Sequence, residues 1–203
     1  MNSHHLDLLL GTANRAKAAE IRRALRDLGI RIHTLEDLKE TEAVDESGVT
    51  YEENAILKAK AYAKKTSLWT LADDSGLEVD ALDGAPGVFS ARFAGLEASD
   101  RDRIDFLLAQ LGPSENRAAR FVSVVVLCDP DSRVVKVESG ICEGAIIDSP
   151  RGTNGFGYDP IFAPRGFKET FGELSSDIKD AISHRARALL AMRAFLTKMI
   201  AGG

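Results

Sequence analysis

From Leu6 to Leu35 the chain reads as strand, turn, helix, strand, and this order restricts the fold more than any other feature of the sequence. Leu6-Asp7-Leu8-Leu9-Leu10 is an apolar run of strand length. Gly11-Thr12-Ala13-Asn14 interrupts it, and a helical period follows from Ala16 to Leu28 through Ile21 and Leu25, stopped by Gly29. Arg31 to Leu35 is a second short strand. Elements in this order bury their apolar faces by packing helices on a sheet.

The acidic stretch Thr41 to Gly48 has no period and is expected to be a loop. Thr50-Tyr51-Glu52-Glu53 predicts a capping box, in which the Thr50 hydroxyl and the Glu53 carboxylate accept each other's backbone N–H groups. It opens a helix that reaches about Lys65. Trp69 to Ala72 predicts a strand ending abruptly at Asp73-Asp74-Ser75-Gly76, and Ser99 to Leu111 a capped helix closed by Gly112-Pro113. Beyond Ala119 the pattern predicts strands at Phe121–Cys128, Val134–Ile141 and Ala145–Ile147, with a hairpin turn at Asp129–Ser132. A glycine-rich loop (Arg151 to Gly157), a short strand at Ile161-Phe162 and a helix from Ser183 to Ile200 complete the chain. No repeat, low-complexity segment or long linker divides it, so a single domain over residues 1–203 is expected. Its class is mixed α/β, a central twisted mixed sheet flanked by helices.

Charge and apolar patterning exclude several functions. A net charge of −5 argues against a nucleic-acid surface, where basic excess supplies the affinity, but leaves room for a nucleotide in a locally basic pocket. Leu6–Leu10 and Phe121–Cys128 fall far short of a bilayer-spanning run. Met1 to Leu6 lacks the basic-then-apolar order of a secretory signal, so a cytoplasmic protein is expected. Cys128 and Cys142 are too few for a disulfide scaffold and lie on the two arms of one hairpin, about 25 Å apart along the strands. Both are expected to be reduced and structural.

Five places carry more polar and turn-forming residues than packing requires. Thr12-Ala13-Asn14-Arg15-Ala16-Lys17 joins a strand to a helix start, where backbone N–H groups and a positive dipole suit phosphate. Lys17 in the first helical turn is unfavourable unless an anion is present; the alternative is an ordinary capped turn with a solvated lysine. Asp73 and Asp74 repel each other but suit a hard divalent cation, or else form an Asx-type turn closed by Gly76; in either case their side chains should diverge. Asp45-Glu46-Ser47-Gly48 is a second acidic site, or merely a solvated charge run. In Asn154-Gly155-Phe156-Gly157-Tyr158-Asp159-Pro160, glycines flank an aromatic, letting backbone approach a ligand while the ring offers a stacking face. Lys179 and Ser183-His184-Arg185 put donors near the last helix start, and the consecutive His184 and Arg185 cannot share one helical face.

Six segments in order then carry a resemblance. They are Thr12-x-Asn14-x-x-Lys17, Glu53–Ala59, Ala72–Leu77, Gly84–Arg92, Phe156–Pro160 and Ile182–Arg185. Together they resemble the inosine-triphosphate pyrophosphatase family, the Ham1-like or non-canonical purine triphosphate pyrophosphatases. The resemblance implies an elongated two-lobed mixed α/β homodimer with its active site in the cleft between lobes. It implies hydrolysis of ITP, dITP and XTP to monophosphate and pyrophosphate with Mg2+ as cofactor. Thr12, Ala13, Asn14, Arg15, Ala16 and Lys17 would hold the triphosphate. Asp74 would be both metal ligand and base, Asp45 a further metal ligand, and Ser75 a substrate contact. Phe156 would stack on the purine in a pocket shaped by Gly157, Tyr158 and Asp159; Lys179 would reach the phosphates or base. His184 and Arg185 would read the 6-keto edge. Two positions depart from the family pattern: Ala13 replaces a common glycine and must keep φ below zero, and Asp45 replaces a usual glutamate, leaving Glu46 as a substitute ligand. A Maf-like pyrophosphatase of other base preference and a non-catalytic nucleotide sensor are the alternatives.

Overall fold

The computed structural model describes residues 6–39, 42 and 44–202. Met1, at the end read for a signal, and Thr41, at the head of the acidic loop, lie outside the described residues. The elements are β1 (Asp7–Leu10), α1 (Arg15–Leu25), β2 (Arg31–Thr34), α2 (Tyr51–Thr66), β3 (Trp69–Val79), α3 (Asp100–Leu111), β4 (Ala118–Cys128), β5 (Val134–Ile146), β6 (Phe162–Pro164), α4 (Ser176–Ile182) and α5 (His184–Ala201). Short 3-10 turns lie at Asp80–Leu82, Gly87–Arg92 and Asp159–Ile161. The strands form one mixed sheet in the order β2-β1-β3-β4-β5-β6, the mixed α/β class that the periodicities predict. Strand β1 runs parallel to β2 and β3, and β5 antiparallel to β6. Among the described residues no helix is long and apolar enough to cross a membrane.

The chain divides into two compact units. The first comprises Met1–Asp74, Val124–Ser139 and Arg185–Gly203; the second comprises Ser75–Ser123 and Gly140–His184. In the first unit Leu8 and Leu10 of β1 pack with Ile21 and Leu25 of α1 and with Leu189, Met192 and Leu196 of α5. The three-to-four-residue spacing on both helices puts these side chains on one face each, and burying such a side chain contributes about 1.5–3 kcal/mol. The second unit is built on an aromatic centre. Phe121 meets Phe162 edge-on at 4.7 Å between centroids, and Phe171 stacks on Phe162 at 5.5 Å. Leu77, Leu107 and Ile161 surround them.

Four local expectations are corrected. Strand β3 does not stop at Ala72 but continues through both aspartates to Val79, because each carboxylate meets cations from other elements and needs no turn to expose it. Val134–Ile141 and Ala145–Ile147 are one strand: Gly144 lies so close to β6 that a Cβ there would stand 2.3 Å from the Ala163 carbonyl oxygen. The Thr50 hydroxyl does accept from Glu53 N at 3.1 Å, but the Glu53 carboxylate takes Val49 N at 2.7 Å. The reciprocal box occurs instead at Ser99 and Asp102. Helix α4, capped by Ser175, was not foreseen, and Ser183 is the extended break between it and α5. The hairpin turn is where the pattern put it, with Ser132 N bonded to Asp129 O, and both cysteines are buried and outside any disulfide.

Candidate active site

The end of β1 leads into α1 through a loop that shapes itself. Thr12 Oγ1 accepts from Asn14 N at 3.2 Å, and Asn14 Oδ1 caps the helix by accepting from Lys17 N at 3.0 Å. Ala13 is not among the residues with positive φ, so alanine is tolerated where glycine is common. Arg15 turns outward to Glu36, and Ala16 lies in the first turn. Lys17 turns inward: its side chain is 15% exposed, and Nζ lies 3.4 Å from Asp73 Oδ1. That oxygen is buried and has no hydrogen bond, so the solvated-lysine alternative fails. Burial, reinforced by Arg185 and Lys58, pulls the Lys17 ammonium below its usual pKa against the pull of Asp73.

Adjacent residues of a strand point to opposite faces, and the two aspartates of β3 do so. Asp73 accepts from Arg185 Nε at 3.0 Å, and Arg185 Nη1 also bonds the buried carboxylate of Glu20 on α1. Burial alone would raise the Asp73 carboxyl, but Lys17 and Arg185 hold it far below the ordinary range. Asp74 faces α2 instead: Oδ1 accepts from Lys58 Nζ at 2.9 Å, and Oδ2 from Asn54 Nδ2 at 3.4 Å. Lys58 Nζ also lies 3.2 Å from Glu46 Oε1. Asn54, fully buried, accepts from Gly48 N at 2.8 Å and thereby fastens the loop that bears Glu46. Burial pushes the Asp74 carboxyl up while Lys58 and Lys17 oppose it. For Lys58, burial lowers the pKa, but Asp74 and Glu46 outweigh it and the net shift is upward.

Asn54 and Lys58 lie within the Glu53–Ala59 segment, to which the resemblance assigns no role. Their signal was present: they stand four apart on α2, on the same face as buried Ala55, Ala59 and Tyr62. A lysine on a core-facing stripe needs a carboxylate partner, and only the fold shows which one. Asp45 is exposed and outside this cluster, whereas half-buried Glu46 reaches it.

A divalent metal can be tested against these residues. Among the described residues no three histidine, cysteine, aspartate or glutamate side chains converge as a ligand set. Two carboxylates, Asp74 and Glu46, do converge on one ammonium. Magnesium typically takes one or two carboxylates and completes its shell with water and substrate phosphate, so the pair fits. Lys17, Lys58 and Arg185 face Glu20, Glu46, Asp73 and Asp74, and the surplus carboxylate also favours a further cation.

The remaining candidates belong to the second unit. Asp159 Oδ2 accepts from Phe156 N at 2.8 Å and from Lys179 Nζ at 2.5 Å. The same ammonium lies 4.7 Å from the centroid of the Phe156 ring. Gly155 has φ +74°, and a Cβ there would fall 2.0 Å from Asp159 Oδ2, so side chain and turn exclude any other residue. Gly155→Ala is expected to displace Asp159 and break its pair with Lys179, at a cost of about 1–3 kcal/mol read from the thermal midpoint. Tyr158, buried, donates its hydroxyl to Ser90 O at 3.0 Å. His184 stacks on Phe121 at 4.7 Å and 14°. As their adjacency required, His184 and Arg185 part company. Lys179 is placed with the aromatic loop, and Ser75 follows Asp74 on β3, half-buried.

Residues 8–195 match the Ham1 family. A dITP/XTP pyrophosphatase of Exiguobacterium is 45% identical over 97% of this chain and the whole of its own length. A dITP/XTP pyrophosphatase of Deinococcus deserti is 48% identical over 92% of this chain and 88% of its own. The solved structure of a HAM1 protein from Coxiella burnetii superposes with a TM-score of 0.87 at 42% identity, covering 95% of this chain and 99% of that one. On the match over nearly its whole length and on these relatives, the chain belongs to the Ham1 family.

Proposed function

We propose that this chain hydrolyses non-canonical purine nucleoside triphosphates (dITP, ITP and XTP) to the monophosphate and pyrophosphate. One observation carries the reading: buried Asp74 and half-buried Glu46 share the Lys58 ammonium in the same unit as Lys17 on the first turn of α1. Cations neutralise a polyanionic substrate, while a carboxylate takes a proton from water. Relatives 45% and 48% identical to this chain are named dITP/XTP pyrophosphatase.

In this reading Asp74 accepts the proton of a water whose oxygen attacks the α-phosphorus. The bond from the α-phosphorus to the bridging oxygen breaks, and pyrophosphate leaves. Lys17, with the N–H groups at the start of α1, holds the phosphates. Lys58 orients Asp74 and Glu46. Asp74, with Glu46 in place of Asp45, would hold magnesium, which would supply charge neutralisation for the triphosphate and its leaving group. Phe156 stacks on the purine, and Lys179 and Asp159 hold that ring's loop. On the family resemblance, donors of the Ser183-His184-Arg185 segment read the 6-keto oxygen. The adenine amino group cannot accept such bonds, and each buried donor left unpaired costs about 1–3 kcal/mol. The reading extends to a homodimer, on the family resemblance, and to the cytoplasm, where the nucleotide pool lies.

The test is pyrophosphate release over dITP, ITP, XTP, ATP and GTP at increasing magnesium. The expected kcat/KM for the inosine and xanthosine substrates exceeds that for ATP by about two to four orders of magnitude. Binding without pyrophosphate release at any magnesium concentration would identify a sensor, and preference for other nucleotides a Maf-like activity. A second expectation concerns Lys17→Met, which removes the cation but keeps most of the stem. The kcat/KM should fall about ten- to a hundredfold, the worth of a charged hydrogen bond. The loss should be larger for triphosphate than for monophosphate binding; equal weakening of the two would place the lysine away from the β- and γ-phosphates.

A further inference from the structure

The Gly84–Arg92 motif and helix α3 have no part in the chemistry above, yet both are bonded to the Phe156 loop. Helix α3 does not need Asp100 to begin. Ser99 Oγ accepts from Asp102 N at 3.2 Å, and the Asp102 carboxylate accepts from Ser99 N at 2.9 Å, which completes the cap. The Asp100 carboxylate is therefore available for another purpose. Its Oδ2 accepts from Gly157 N at 2.7 Å, while Oδ1 pairs with Arg103. Arg103 is itself anchored, donating from Nη1 to the carbonyls of Ala91 (3.0 Å) and Ala98 (2.6 Å). One residue earlier in the same motif, the Ser90 carbonyl takes the Tyr158 hydroxyl.

The geometry bears on one side chain. Phe156 N belongs to the peptide before the Phe156 Cα and is held by Asp159; Gly157 N belongs to the peptide after it and is held by Asp100. With both flanking peptides clamped by carboxylates, the φ and ψ of Phe156 are set, and with them the direction of its Cα–Cβ bond, while the Lys179 ammonium lies 4.7 Å from the centroid of the ring. Gly157 sits at φ +61°, a backbone state that glycine adopts freely and equally freely leaves, so the bond to Asp100 is what retains it.

We propose that Asp100 is a positioning residue for purine recognition, acting through the Gly157 amide to hold the Phe156 ring ready for stacking. This rests on the reading of Phe156 as the stacking surface. A ring held in its bound direction spares the nucleotide the entropy of ordering the loop, so Asp100 acts on base-bearing ligands and on binding, not on phosphate or on the chemical step.

The test compares Asp100→Ala, Asp100→Asn and Phe156→Leu. For each, the kcat and KM for dITP are measured with the inhibition constants of IMP, which carries a purine, and inorganic pyrophosphate, which does not. In Asp100→Ala the KM for dITP and the inhibition constant of IMP should rise about five- to twentyfold, with kcat within about twofold and pyrophosphate inhibition unchanged. Asp100→Asn retains an oxygen acceptor for the Gly157 amide and should restore both to within about threefold of the parent. If Phe156→Leu raises both constants but Asp100→Ala raises neither, the positioning role is overturned while the stacking reading stands. If Phe156→Leu raises neither, the stacking reading falls and the positioning role with it. A parallel loss of kcat or pyrophosphate affinity in Asp100→Ala would indicate general loosening and also overturn it.

Discussion

Asp74→Asn is expected to cut turnover of dITP by at least about a hundredfold, the scale of losing a positioned base, while the protein stays folded. The replacement is nearly isosteric, keeps one oxygen to accept from Lys58 while giving up the longer bond from Asn54, and leaves Lys58 its second carboxylate, Glu46, at 3.2 Å. What it removes is a carboxylate whose proton affinity burial has raised. An amide does not take a proton from water. The measurement is kcat at saturating magnesium, with the thermal midpoint as the control for folding. Retention of more than a third of the parent turnover would remove Asp74 from the role of base.

Arg185→Met should act first on stability. Arg185 is 1% exposed and holds two buried carboxylates from different elements, Asp73 on β3 and Glu20 on α1. Deleting the cation takes the guanidinium from both carboxylates and leaves Asp73 to Lys17, 3.4 Å away, and breaking a buried pair in this way typically costs about 3–5 kcal/mol. For a chain of this size that lowers the thermal midpoint by about 6–20 °C. Adding Asp73→Asn removes one of the two carboxylates that have lost the guanidinium and should recover part of the loss, a coupling that a double-mutant cycle resolves. A midpoint within about 2 °C of the parent would show that the buried pairs carry no net stability. The preference for dITP over ATP, measured on the folded variant, should shrink as well. Phe156→Leu, by contrast, should weaken both substrates and leave their ratio nearly unchanged, since stacking does not distinguish the 6-position.

The binding loops were legible because each is local. Thr12 and Asn14 shape the turn before α1 through bonds spanning two and three residues, and Phe156 is tied to Asp159 three residues on. Such short-range bonds depend on residue order alone. The second carboxylate was harder to assign. Asp45 and Glu46 are neighbours of like charge, and what separates them is that Glu46 reaches a lysine on α2. The partners of Lys179, Asp159 and the Phe156 ring, stand 20 residues or more earlier in the chain and are not written in the residues around it.

Read alone, the sequence determined the strand–helix alternation, the helical faces, the turn at Asp129–Ser132 and the glycine-flanked aromatic loop. Periodicity and backbone sterics act over a few residues and are written in their order. The tertiary structure alone decided where charge is neutralised: Lys58 to Asp74 from α2, Arg185 from the start of α5 to Asp73, and Asp100 from α3 to the Gly157 amide. Two adjacent aspartates read locally as a turn because an unpaired carboxylate seeks water. They continue a buried strand because cations distant in sequence meet each of them, and a buried charge is tolerated only where its partner is delivered.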